Sequence, residues 1–117
     1  MGLTPLARKY IDFTRRRPKL WSLLFEHQLP DGQELPDWHY EKTRRLLGLL
    51  ERALAPLFPA GQETERHHSA RVIWSSLHGI CSLDSAGKLV KTESVDALAD
   101  SLISNYLAGL VGSPQSP

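Results

Sequence analysis

The residues best able to do chemistry are the histidines, a cysteine, a basic run and a set of aromatics. His67 and His68 are adjacent, so on a helix they point about 100° apart and do not chelate one ion together. His78 stands three turns from His67, and the sequence holds no HExxH, no Cys-x-x-Cys and no His pair at i, i+4. No metal site and no cofactor is expected. Cys81 lies among apolar residues, where a cysteine behaves as a small hydrophobe. There is no GxSxG elbow, no Gly-rich phosphate loop and no paired acid and base on one helix face inside an apolar stripe, so no catalytic residue is assigned and an enzyme is not expected. Arg15, Arg16 and Arg17 read as a solvated helix end rather than a phosphate site. The group left is aromatic. Trp74 and His78 are four apart and stack along one helix edge, Trp21 and Phe25 repeat that spacing, and Tyr10 and Phe13 share an inner face. Aromatic walls with one or two polar tips suit a pocket for an apolar or aromatic molecule. The same residues also serve as ordinary core, with their polar tips satisfied at its edge.

Five helices must carry these side chains, and the expected fold is all-α. Thr4-Pro5 reads as an N-cap followed by proline at the first helical position. Pro18 breaks that helix and opens a second, short one, in which Leu20, Trp21, Leu23, Leu24 and Phe25 cover more than half the circumference. That helix is expected to be buried on most sides. Residues 29–36 read as a loop. The third helix spans about 37–57 with Asp37 as its cap; Leu46, Leu47, Leu49, Leu50, Ala53, Leu54 and Leu57 form one apolar arc. The fourth runs from about 63 to 84, with Gly87 in the loop after it, and the fifth starts at a Thr92 cap. Residues 1–111 are expected to form one domain and 112–117 a disordered tail.

Helices four and five carry more apolar surface than one-sided packing needs. On helix five, Val95, Leu98, Ala99, Leu102, Ile103, Tyr106, Leu107 and Leu110 span roughly 180°, against a stripe of about 100° for a helix packed on one side. Helix four has one face with Ala70, Ile73, Trp74, Leu77, Ile80 and Cys81, and another with Val72, Ser76, Gly79 and Leu83, whose small residues let a second helix come close. Val72, Ser76, Gly79, Leu83, Val95, Ala99, Leu102, Tyr106 and Leu110 are therefore expected at the interface of a homodimer, whose two copies close a four-helix bundle about a two-fold axis. The alternative is a compact five-helix monomer that buries both faces itself. Net charge is +1, which gives little long-range attraction to nucleic acid. The apolar runs are too short to span a bilayer, so no membrane partner is expected. A single cysteine and no signal-peptide pattern suit a cytoplasmic location.

The stretch ARKYIDFTRRRPKLWSLLFEHQ resembles a segment midway along TetR-family regulators, with the pattern A..Y..F....P.L..L.FE. WSSLHGI, Trp74 to Ile80, is similar to the Trp-x-x-x-His-Gly signature of one class of their C-terminal domains. Order and spacing agree over about residues 4–110. The resemblance implies a ligand-sensing and dimerisation domain. Its last two helices would form the dimer bundle, with Tyr10, Phe13, Trp21, Phe25, Leu47, Trp74 and His78 near a cavity for a small apolar or aromatic effector. The family's helix-turn-helix and connecting helix are not recognisable here, so DNA is an expected partner only through a missing N-terminal domain. A helical interaction module without a small-molecule ligand is the competing function.

Overall fold

The computed structural model describes residues 2–26, 32–33, 36–89 and 93–112. Among them lie five α-helices and no strand: α1 Leu3–Arg16, α2 Pro18–Phe25, α3 Asp37–Leu54, α4 Glu63–Ser85 and α5 Val95–Gly112, with a 3₁₀ turn at Ala55–Leu57. The all-α expectation holds. Most of the 29–36 loop, Thr92 and the tail SPQSP lie outside the described residues. Among the described residues no helix is long and apolar enough to cross a membrane.

Helix ends follow proline and glycine closely and the expected caps less well. α1 starts two residues earlier than Thr4 implied: Gly2 takes the cap position and its carbonyl accepts from the Leu6 amide at 3.3 Å. Pro5 then sits in the first turn, where a missing N–H costs nothing. Pro18 opens α2 as expected. Pro36 rather than Asp37 caps α3, and Asp37 moves to the first turn, where its charge suits the helix's positive end. α3 ends at Leu54 rather than 57 because Pro56 has no N–H to continue it, and the chain tightens into a 3₁₀ turn. At the end of α4 the Gly87 amide donates to the Asp84 carbonyl at 3.0 Å and Lys88 to Leu83 at 2.8 Å, a paired closure that needs the left-handed backbone at Gly87 (φ 70°). Ser94 caps α5: its hydroxyl accepts from the Ala97 amide at 3.3 Å.

α1 lies at the centre, packed against each of the other four helices. α4 packs between α3 and α5. Leu3, Ala7, Tyr10 and Ile11 of α1 meet Ala70, Ile73, Leu77 and Cys81 of α4 and Val95, Ala99 and Ile103 of α5, each set at helical spacing and buried. Cys81 is buried as a hydrophobe, and burial pushes its thiol pKa up. Arg8 ties α1 to α5 through Asp96 at 3.4 Å and Asp100 at 2.7 Å. Glu51 ties α3 to α4 through His67 at 2.6 Å and Arg66 at 3.8 Å.

Two apolar expectations fail. Leu23 is 50% exposed, so α2 is not buried on most sides; only Trp21 and Leu24 turn fully inward. Leu49 on α3 and Leu57 in the 3₁₀ turn after it are exposed, because the arc is wider than the strip that α1 and α4 cover.

Candidate functional site

The aromatic pairs expected from spacing meet where α1, α2 and α4 converge. Trp21 and Phe25 are one turn apart on α2, and Trp74 and His78 are one turn apart on α4. The Trp21 and His78 rings lie 5.3 Å apart, Trp74 and His78 6.0 Å, and Phe25 meets Trp74 edge-on at 5.8 Å. Tyr10 sits 6.1 Å from Phe25 and joins the three helices by hydrogen bonds.

The polar tips form one directed chain. The Trp21 indole donates to the Tyr10 oxygen at 2.8 Å. The Tyr10 hydroxyl is 2.9 Å from Nδ1 of His78. With Trp21 already donating, the phenolic proton has His78 as its acceptor, so the imidazole carries its own proton on Nε2. That nitrogen faces Oε2 of Glu26 at 3.6 Å, and Glu26 accepts from the Ser82 hydroxyl at 2.6 Å. Burial sets the ionisation of both central groups. It pushes Tyr10 up to about 12, against the opposing Trp21 hydrogen bond, and it pulls His78 down, against the opposing Glu26 charge. Both are therefore neutral near pH 7. Neither is a free base, since Nδ1 is occupied and the phenol is held protonated. The cluster is a polar-tipped aromatic wall, suited to holding shape rather than moving protons.

An open apolar groove of about 460 Å³ runs beside this wall. α1 supplies Leu6, Lys9, Tyr10 and Phe13; α2 supplies Leu20, Leu24 and Phe25; α3 supplies Trp38, Lys42, Leu46 and Leu49. Of the seven residues expected near a cavity, Tyr10, Phe13 and Phe25 line this groove. Trp21 is buried behind it, Trp74 and His78 belong to the wall, and Leu47 is half-buried against the core. Sequence reasoning missed Glu26, Ser82, Lys9, Trp38 and Lys42. Glu26 had a signal, as the last residue of the quoted A..Y..F....P.L..L.FE pattern. Lys9 and Lys42 had none, because only packing brings α1 and α3 together.

A second surface lies on α4 and α5. Val72, Ser76 and Gly79 are half-buried, and Leu83 is exposed. A Cβ added at Gly79 would meet nothing within 4 Å. Leu102, Tyr106 and Leu110 on α5 are half-buried, and Tyr106 donates to the Ser69 hydroxyl at 3.0 Å. Val95 and Ala99, expected on the partner side, instead turn into the chain's own core at 3% and 0% exposure. The reason is register: Val95, Ala99 and Ile103 repeat every four residues and form the fully buried strip of α5, with Leu102, Tyr106 and Leu107 packed at its edge.

The family model for the tetracyclin repressor-like C-terminal domain matches residues 3–106, from the first residue of α1 to Tyr106 on α5. Comparison with curated proteins and with solved structures gives no match. The matched span contains the wall of Tyr10, Trp21, Trp74 and His78 and the α4–α5 seam as far as Tyr106. Five helices in the order read above, an aromatic wall tied by Tyr10 and a model match over nearly the whole chain agree, and the chain belongs to the tetracyclin repressor-like C-terminal domains, the ligand-binding and dimerisation part of TetR-like transcription regulators.

Proposed function

We propose that this chain senses a small apolar or aromatic effector in the groove of α1, α2 and α3, and that a homodimer formed through α4 and α5 passes the signal to a helix-turn-helix domain, which then releases DNA. The observation that carries the reading is the direct hydrogen bond from the groove to α4, the helix that also carries the seam. Tyr10 lines the groove and bonds to His78, which precedes the half-buried Gly79 on α4. A ligand pressing on Tyr10, Phe13 or Phe25 thus acts on a residue already tied to the helix that would meet the partner. Ordered side chains at that junction transmit small shifts because packed cores deform by discrete steps. The effector class follows from a lining that is mostly aliphatic and aromatic, in a groove of the volume small-molecule sites usually have.

Thermal melting in the presence of a panel of apolar and aromatic compounds tests the ligand half. At a hundred times its dissociation constant, a ligand adds about 2.7 kcal/mol to stability, a readily measured rise in melting temperature. Phe25→Ala should remove that rise. If no compound of a broad panel raises the melting temperature, the sensing role fails and a helical interaction module becomes the better description.

A further inference from the structure

We propose that the groove of α1, α2 and α3 selects amphipathic carboxylates: molecules with an apolar body and one free carboxylate end. This rests on the ligand-sensing reading above and narrows it by charge. The groove lining contains two lysines, Lys9 on α1 and Lys42 on α3, and no acidic residue. A smaller adjoining hollow of about 290 Å³ shares Leu6, Lys9 and Leu49 and adds Arg52, again without an acid. The apolar strip is thus rimmed by cations on two helices, in a chain whose overall charge is only +1.

Neither lysine has an ion-pair partner among the described residues. Arg8, Arg16, Arg44 and Arg45, on the same two helices, each pair with a carboxylate. The two groove lysines have no such partner among the described residues. Lys stems lie along apolar surface while their ammonium groups stay in water, so they can meet an anionic head without burying its charge. A cationic molecule of the same shape would face two like charges and gain no counter-charge from the lining.

Isothermal titration of the whole chain with decanoate, 1-decanol and decylamine at pH 7.5 separates the possibilities. Decanoate should bind about tenfold more tightly than decanol, with decylamine weakest; tenfold corresponds to about 1.4 kcal/mol. The double variant Lys9→Gln with Lys42→Gln should bring decanoate to the level of decanol and leave decanol unchanged. Both lysines are exposed, so the fold tolerates the change, and the Lys9→Arg, Lys42→Arg pair should restore selectivity. Equal binding of the three ligands, or decanoate affinity unaltered in the glutamine variant, would overturn the carboxylate preference and leave ligand sensing standing. No binding by any of the three, together with no melting shift across the apolar and aromatic panel, would remove both.

Discussion

His78 sits among Tyr10, Trp21, Trp74 and Glu26, drawn from three helices and the end of α2, and its environment makes acid the weak side of the fold. Burial lowers its pKa below the ordinary histidine value, while the Glu26 charge only partly opposes this. The unfolded chain then binds a proton more readily than the folded one as pH falls through about 6.5. The stability tied to neutral His78 is present above that pH and is lost as pH drops toward the folded pKa. Protonation also takes away the acceptor at Nδ1, so the Tyr10 hydroxyl loses its partner while Trp21 still donates to it. Urea midpoints measured from pH 7.5 to 5.5 should fall in the wild type and fall less in His78→Gln. Equal slopes would show that the network carries no linkage. Of these residues, spacing alone reveals the Trp21–Phe25 and Trp74–His78 pairs, since i and i+4 share a helix edge. Spacing does not reveal that Tyr10 would join them, because that depends on how α1 crosses α2 and α4.

The elements are legible wherever the backbone itself is constrained. Pro18, Pro56 and Gly87 mark the start of α2, the end of α3 and the close of α4, because a missing N–H or a left-handed backbone admits few alternatives. Caps are harder to read. Thr4, Asp37 and Thr92 were all chemically suitable, yet Gly2, Pro36 and Ser94 hold those places or stand nearest the helix start. A cap contributes only about 1 kcal/mol, so tertiary packing can shift a boundary by a residue or two. Ser94 is the cap whose side chain is seen to act, and Ser94→Ala should lower stability by about 1 kcal/mol, read as a lower urea midpoint at unchanged slope. An unchanged midpoint would mean that α5 holds its start by packing of Val95 alone. The groove was the least legible part, since Lys9, Trp38 and Lys42 sit on exposed sides of their own helices and become neighbours only across the α1–α3 junction.

At the scale of the molecule, the proposed dimer explains why α4 and α5 carry apolar residues that the core leaves uncovered. Val95, Ala99 and Ile103 are fully buried in the core, Leu102 and Tyr106 pack against its edge, and Leu110, Val72, Ser76 and Gly79 are half-buried. Gly79→Leu tests the seam cleanly. A Cβ added there meets nothing within 4 Å, and replacing a helical glycine by leucine removes a propensity cost of about 1 kcal/mol. The variant should be as stable as the wild type or more so, yet its mass by light scattering should fall to that of one 13.1 kDa chain. A dimer that survives the change would place the interface elsewhere.

The three tryptophans lie at three depths: Trp21 is 1% exposed, Trp74 half-buried and Trp38 49% exposed at the groove. The chain thereby carries its own optical depth gauge. A small neutral quencher reaches Trp38 in the closed molecule, Trp74 when the aromatic wall loosens, and Trp21 only when α1 and α2 part. The order in which emission is lost reports which layer has opened.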